Sequence, residues 1–185
     1  IIRAAFAYAD QNKCASVCMA DKANAMRHGH DLWQRVFKMV ASEYPHIRAF
    51  HRYVDVLAME LVSKPEQFEV IVTNNLFGDI VTDLGAILQG GIGLAASGNI
   101  NPGRLSLFEP VHGSAPDIVG QGKANPLAAI LSAAMMLNHL QMPEAEQRIY
   151  QVVKEVLLAD EVTPELGGTL NTVQVGDAVL CRLGF

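Results

Sequence analysis

The sequence predicts an α/β protein, on three observations. Residues 68–73 (FEVIVT) are an apolar, β-branched run of strand length, followed directly by Asn74-Asn75. A helical apolar pattern follows over residues 75–88, and short apolar runs alternate with helical patterns along the rest of the chain. Glycine and proline cluster between these segments, where turns need them. The 185 residues fit one large domain or two small ones, and with 50% hydrophobic and 18% charged residues they can bury a substantial core.

In chain order, IIRAAFAYADQN predicts an amphipathic helix with Ile1, Ile2, Ala5, Phe6 and Ala9 on one stripe. No capping residue precedes it, so the chain reads as the carboxy-terminal part of a longer one. Residues 14–19 predict a short strand, which places Cys14 and Cys18 on one face. Asp31 is expected to cap a helix that runs to about residue 44 and stops at Pro45. Residues 47–50 predict a strand, and Asp55 heads a helix to about residue 62, ended by Ser63-Lys64-Pro65. After the 68–73 strand, Asn74 or Asn75 caps the 75–88 helix. Turns are expected at residues 90–93 (GGIG) and 97–103 (SGNINPG), and residues 106–109 are strand-like. Asn125 is expected to cap a helix that starts at Pro126 and runs to about residue 140. Two helices, residues 144–158 and 172–183, close the chain. The turn signals place the domain change near residues 90–97, dividing the chain into residues 1–90 and 91–185.

Composition excludes several partners. The net charge is −5 and no basic run exists, which argues against nucleic acid. No stretch of about 18 apolar residues suggests a membrane span, and no signal peptide is visible. Three cysteines, Cys14, Cys18 and Cys181, lack metal-site spacing and read as reduced thiols of a cytoplasmic protein.

Several residues carry chemistry. Asp79 and Asp83 lie at i,i+4, on one face of the 75–88 helix. Their oxygens suit Mg²⁺ or Mn²⁺ rather than zinc, and the alternative is a solvated acidic face. Asp55 reads either as a helix cap or as a further ligand. Lys22, after the first strand, is either a solvated lysine or a base tuned by neighbouring charges. The loop HGSAPD (residues 112–117) has small residues that let backbone N–H groups approach a phosphate, or it is an ordinary tight turn. Asp117 can accept from ribose hydroxyls and would repel a ribose 2′-phosphate, favouring NAD over NADP. No G-x-G-x-x-G motif is present, and Gly90–Gly93 follows a helix rather than a strand.

These residues fall within longer motifs: DKAN at 21–24, YVD at 53–55, NLFGDIVTDL at 75–84 and FEPVHGSAPDIVGQGKANP at 108–126, with a looser ELGGTLNT at 165–172. With them the chain resembles the β-decarboxylating dehydrogenases of the isocitrate/isopropylmalate dehydrogenase family over essentially its whole length. The resemblance implies an isopropylmalate dehydrogenase-like fold of mixed sheets flanked by helices, incomplete at its amino-terminal side. Residues 1–90 would belong to the small, substrate- and metal-binding dimerisation domain. Residues 91–185 would belong to the large cofactor domain.

The implied activity is NAD- and Mg²⁺- or Mn²⁺-dependent oxidation of a 2-hydroxy diacid, loss of its β-carboxylate as CO₂ and reprotonation of the enol. DKAN and Asp117 are of the 3-isopropylmalate type, a substrate of leucine biosynthesis. Tartrate/D-malate, isocitrate/homoisocitrate, and a catalytically incomplete or regulatory chain are the alternatives. The implied metal ligands are Asp79 and Asp83 of one subunit and Asp55 of its partner in a homodimer. Lys22, also from the partner, would transfer the hydroxyl proton, with Asp55 beside it in the catalytic set. Asn24, Glu109, His112, Gly113, Ser114, Ala115, Pro116, Asp117, Ile118 and Asn125 would contact the cofactor. The arginines that clamp substrate in this family, and its acid tyrosine, lie upstream of the matched region. Glu165 stands where the family more often has aspartate.

Overall fold

Strand β1 (Ser16–Asp21) is buried along its whole length because it is the middle strand of a parallel sheet. It pairs with β2 (Arg48–Tyr53) on one side and β3 (Val70–Thr73) on the other, in the order β2-β1-β3. Strand side chains alternate between faces. Val17 and Met19 therefore join one apolar cluster and Ala20 the other, which is why SVCMAD shows no polar face. The computed structural model describes residues 1–103 and 105–185.

Helices α1 (Ile2–Gln11) and α2 (Arg27–Ala41) cover the Val17/Met19 face. There the Phe6 ring lies between Phe37 and Tyr44, with centroids 5.5 and 5.3 Å away. Helix α3 (Val54–Ser63) and helix α4 (Asn75–Leu88) supply Leu57, Leu61 and Val81 against Ala20 on the opposite face. The chain divides into two compact units, Ile1–Gly85 and Ala86–Phe185.

In the second unit, β4 (Ala96–Asn99) and β5 (Leu107–Pro110) form an antiparallel pair. Helix α5 (Leu127–His139) packs on both strands and on α6 (Pro143–Leu158), and α7 (Thr172–Leu183) packs on α6. Leu127, Leu131, Val152, Val156 and Val175 form the centre of its core. Helix α5 buries Leu127, Ala128, Leu131, Ser132 and Ala134 against strands and helix, while its apolar Ala129, Ala133 and Met136 are exposed. Gly98 faces Phe108 across the β4–β5 ladder, where a Cβ would press on the ring at 3.0 Å and on Met135 at 3.2 Å.

Helix α4 has its expected bounds, and Asn74 is its cap: the Asn74 Oδ1 accepts from Phe77 N at 3.1 Å. Helix α7 also has its expected bounds, with Asn171 and Gln174 closing a capping box, and α6 begins one residue early at Pro143. Several expectations shift: β2 is Arg48–Tyr53 rather than 47–50, α5 begins at Leu127 with Pro126 rather than Asn125 as its cap residue, and α2 ends at Ala41 rather than near residue 44. Strand β1 starts two residues late, since Lys13 turns the chain with φ 58° and Cys14 N bonds back to Ala9. Cys14 consequently lies outside the strand. Helix α2 starts a turn early, because Lys22 O accepts from Ala25 and Met26 and begins the coil before Asp31. Asp31 instead pairs with Arg35 at 2.7 Å. Tyr53, not Asp55, is the cap residue of α3, and Asp55 lies in its first turn. Finally, SGN within the expected 97–103 turn is part of β4. Among the described residues, no helix is long and apolar enough to cross a membrane.

The thiols differ sharply in environment. Burial pushes the Cys18 thiol up to about 12, whereas Cys181 is exposed and Cys14 half-buried. A thiol reagent at pH about 8 should modify Cys181 promptly in the native protein and Cys18 only on unfolding. Equal rates at both would contradict the enclosed position of Cys18.

Candidate active site and cofactor cavity

In the first unit the chemistry collects where β1 and β2 end. The parallel register sets Asp21 beside Tyr53, so the chain leaves both strands at the same edge. Lys22 follows one and Asp55 the other, and Lys22 Nζ donates to Asp55 Oδ1 at 2.7 Å. The Tyr53 ring lies 5.7 Å from the ammonium. This lysine, together with backbone N–H groups at the start of α3, holds the Asp55 carboxyl below the usual carboxylate range.

Asp21, directly before Lys22, is fully buried. Its Oδ1 accepts from Ala23 N at 3.0 Å and from His51 Nε2 at 2.8 Å, and its Oδ2 accepts from Gln34 Nε2 at 2.9 Å. Burial disfavours its charge, but these donors prevail and keep the carboxyl below its ordinary value. Lys22 N donates to the ring of buried His30 at 2.8 Å. Spacing does not mark His30, Gln34 or His51: the first two reach back from α2 and His51 reaches across from β2.

Asn24 is exposed in the turn that leads to α2. Asp79 and Asp83 are exposed one turn apart on α4, and Asp79 Oδ2 accepts from Asn75 Nδ2 at 3.2 Å. Within one copy, among the described residues, no three His, Cys, Asp or Glu side chains are grouped to hold a metal ion.

The second unit contains a cavity of about 790 Å³, within the range of small-molecule and cofactor sites. His112, Gly113, Ser114, Ala115, Ile118 and Asn125 of the expected cofactor set line it. Glu109, Pro116 and Asp117 do not; Asp117 lies in the short 3-10 turn Pro116–Ile118, its carbonyl accepting from Gln121 Nε2 at 2.7 Å. The wall also contains Gly93, Lys123 and Glu165, which spacing did not single out for binding. Gly93 N donates to Glu165 Oε1 at 3.3 Å, and a Cβ on Gly93 would lie 2.4 Å from Glu165 Oε2. Glycine is thus the residue that admits this carboxylate, a pairing that GGIG alone could not reveal.

The 112–125 loop is anchored at its carboxy-terminal end. Ala115 takes a left-handed conformation, φ 40°, as the 3-10 turn begins. Thr172 donates through its N to Gly122 O at 2.8 Å and through its Oγ1 to Ala124 O at 2.6 Å. Asn125 Oδ1 accepts from Leu127 N at 3.0 Å, while its buried Nδ2 has no partner among the described residues.

The chain matches the family described as isocitrate/isopropylmalate dehydrogenase over residues 1–179, and it belongs to that family. It is 49% identical to the 3-isopropylmalate dehydrogenase of Thermobifida fusca, over 99% of this chain and 51% of that one. The Beutenbergia cavernae enzyme of that name is 45% identical, over 99% and 52%. The chain therefore spans about half the length of the curated relatives it matches. Among solved structures, isocitrate dehydrogenase from Methylococcus capsulatus gives a TM-score of 0.94 at 43% identity, over 98% of this chain and 54% of that one. The TT0538 protein from Thermus thermophilus gives 0.93 at 40% identity, over 100% and 38%.

Asp21 has a testable acid signature. A carboxyl with a lowered folded pKa adds stability that is complete above its unfolded value of about 4 and is lost as pH falls through the folded value. Trp33, the single tryptophan, packs in the same unit and reports on it. In urea titrations followed by its fluorescence, Asp21→Asn should be less stable at neutral pH and should lose less stability below pH about 4. An unchanged acid slope would remove Asp21 as a contributor.

Proposed function

We propose that the chain supplies the metal-, base- and cofactor-binding residues of an NAD-dependent oxidative decarboxylase acting on a 2-hydroxy diacid, in the first place 3-isopropylmalate. The observation that carries this reading is the 2.7 Å Lys22–Asp55 pair at the carboxyl ends of adjacent parallel strands. Ligand sites of α/β sheets collect at that edge.

The donor chemistry fits Mg²⁺ or Mn²⁺. Asp79 and Asp83 expose carboxylates on one face of α4 and bond to no positive side chain among the described residues. With Asp55 of a second copy they would offer three hard oxygen donors. When bound, the cation would supply Lewis-acid stabilisation of charge developing on the substrate oxygens. Lys22 would take the substrate hydroxyl proton, and transfer of Asp55 to the cation would free Lys22 from its pair. Exposed Met59 and Val62 on α3, with Leu76 and Ile80 on α4, support burial against a second copy.

The cavity residues fit a dinucleotide. Among the described residues the buried Nδ2 of Asn125 has no partner, and no acceptor takes the backbone N–H groups of Gly113, Ser114 or Ala115. Such groups can bind phosphate or the polar edge of a nucleotide base. Glu109, on β5, completes the proposed contacts of this unit. Asp117 is assigned to the ribose hydroxyls, where it would favour NAD.

The test is Mn²⁺-dependent NADH formation across 3-isopropylmalate, isocitrate, homoisocitrate, tartrate and D-malate, with turnover on 3-isopropylmalate expected. Asp79→Asn should lower that turnover at least about 100-fold with an unchanged fold. Mixing inactive Asp79→Asn with inactive Asp55→Asn should restore part of it, because mixed dimers regain one intact site. Full activity in Asp79→Asn would sink the metal assignment. The half-length match favours one second reading, a non-catalytic chain, which silence on all five acids would support. Separately, Asp117→Ala should narrow the NAD-to-NADP preference by about tenfold or more, and an unchanged ratio would remove Asp117 from the ribose site.

A further inference from the structure

We propose that His30 is a positioning residue for Lys22, holding the lysine backbone by accepting its amide hydrogen at Nδ1. His30 stands in the first turn of α2, is 5% exposed, and reaches back over the turn to Lys22. The Lys22 N to His30 Nδ1 distance is 2.8 Å. On the other side of the ring, Asn74 Nδ2 lies 3.4 Å from Nε2, and the Phe77 ring packs edge-on at 5.6 Å.

A neutral imidazole has one acceptor nitrogen. The shorter, well-directed contact takes it, so the ring carries its hydrogen on Nε2. The 3.4 Å approach of Asn74 is then packing rather than a hydrogen bond. This assignment is consistent with Asn74, whose Oδ1 is already committed to Phe77 N. A hydrogen on Nδ1 would instead face the Lys22 N–H and expel it.

Lys22 is the first residue beyond β1, where ladder bonding ends. Its carbonyl accepts from Ala25 N and Met26 N at 2.9 and 2.8 Å, and its N–H is fixed by His30. Both backbone polar groups of Lys22 are therefore tied, and its side chain leaves from a fixed Cα toward Asp55. Among the described residues His30 has no hydrogen bond to Asp55, so its role is exerted through Lys22. The catalytic meaning rests on Lys22 being the proton-transfer group of the proposed function; the tether itself does not.

The experiment uses the full chain. Long-range ¹H–¹⁵N spectra of His30 at pH about 7.5, where a free imidazole is mostly neutral, should show the Nε2–H tautomer. The Nδ1–H tautomer would overturn the proposal. In His30→Asn the amide oxygen replaces Nδ1, whereas in His30→Gln the longer side chain places its amide near Nε2. Amide exchange at Lys22 should stay slow in the Asn variant and quicken about tenfold in the Gln variant, with β1 amides unchanged in both. Equal loss in both variants, or loss in neither, would also overturn it. Lys22→Met tests the other premise: persistent NADH formation in that variant would remove Lys22 as the base while leaving the tether standing.

Discussion

The first unit depends on β1 being enclosed on both faces and both edges. A strand in that position must be apolar on both faces, and SVCMAD is apolar between its two ends; at the first, Ser16 donates to Glu69 at 2.7 Å. Its charged end, Asp21, is tolerated because Ala23, Gln34 and His51 all donate to it. Those same bonds hold the start of the turn that presents Lys22. A slip of one residue in the β1–β2 register would turn Val17 and Met19 away from their cluster and separate Lys22 from Asp55. Core packing and site alignment are thus one constraint.

The second unit reaches its site differently. Its hydrophobic core lies among α5, α6, α7 and the β4–β5 pair, while the cavity is walled mainly by a loop. The loop takes its shape from bonds to other elements: Thr172 at the head of α7 and Asn125 before α5 fix one arm. Across the cavity, Glu165 rests on the bare backbone of Gly93. A carboxylate in that place, together with Lys123 and His112, gives a mostly apolar wall a few polar positions, as orientation of a bound molecule requires.

The architecture was legible where local patterns and tertiary demands agree. Helices α4, α6 and α7 carry clear periodicity and end signals, so their bounds follow from sequence nearly to the residue. Strand β4 was not legible, because Ser-Gly-Asn is turn-like and becomes strand only by pairing with β5 and fitting beneath Phe108. Asp31 looks like a cap, but the Lys22–Met26 turn nucleates α2 first. The 108–126 loop announced itself through glycine and proline. The Lys22–Asp55 pair, whose members are far apart in sequence, emerges only from parallel register. His30, a single imidazole on a helix, carries no periodic signal at all.

Ala115 limits the shapes open to the cavity loop. A non-glycine residue with φ 40° sits at an energy about 1 kcal/mol above its usual basins. Glycine would relieve that tension, yet it would also open many more shapes to the loop. Alanine leaves the unfolded loop fewer conformations than glycine would, so less entropy is lost when the cavity loop takes this shape.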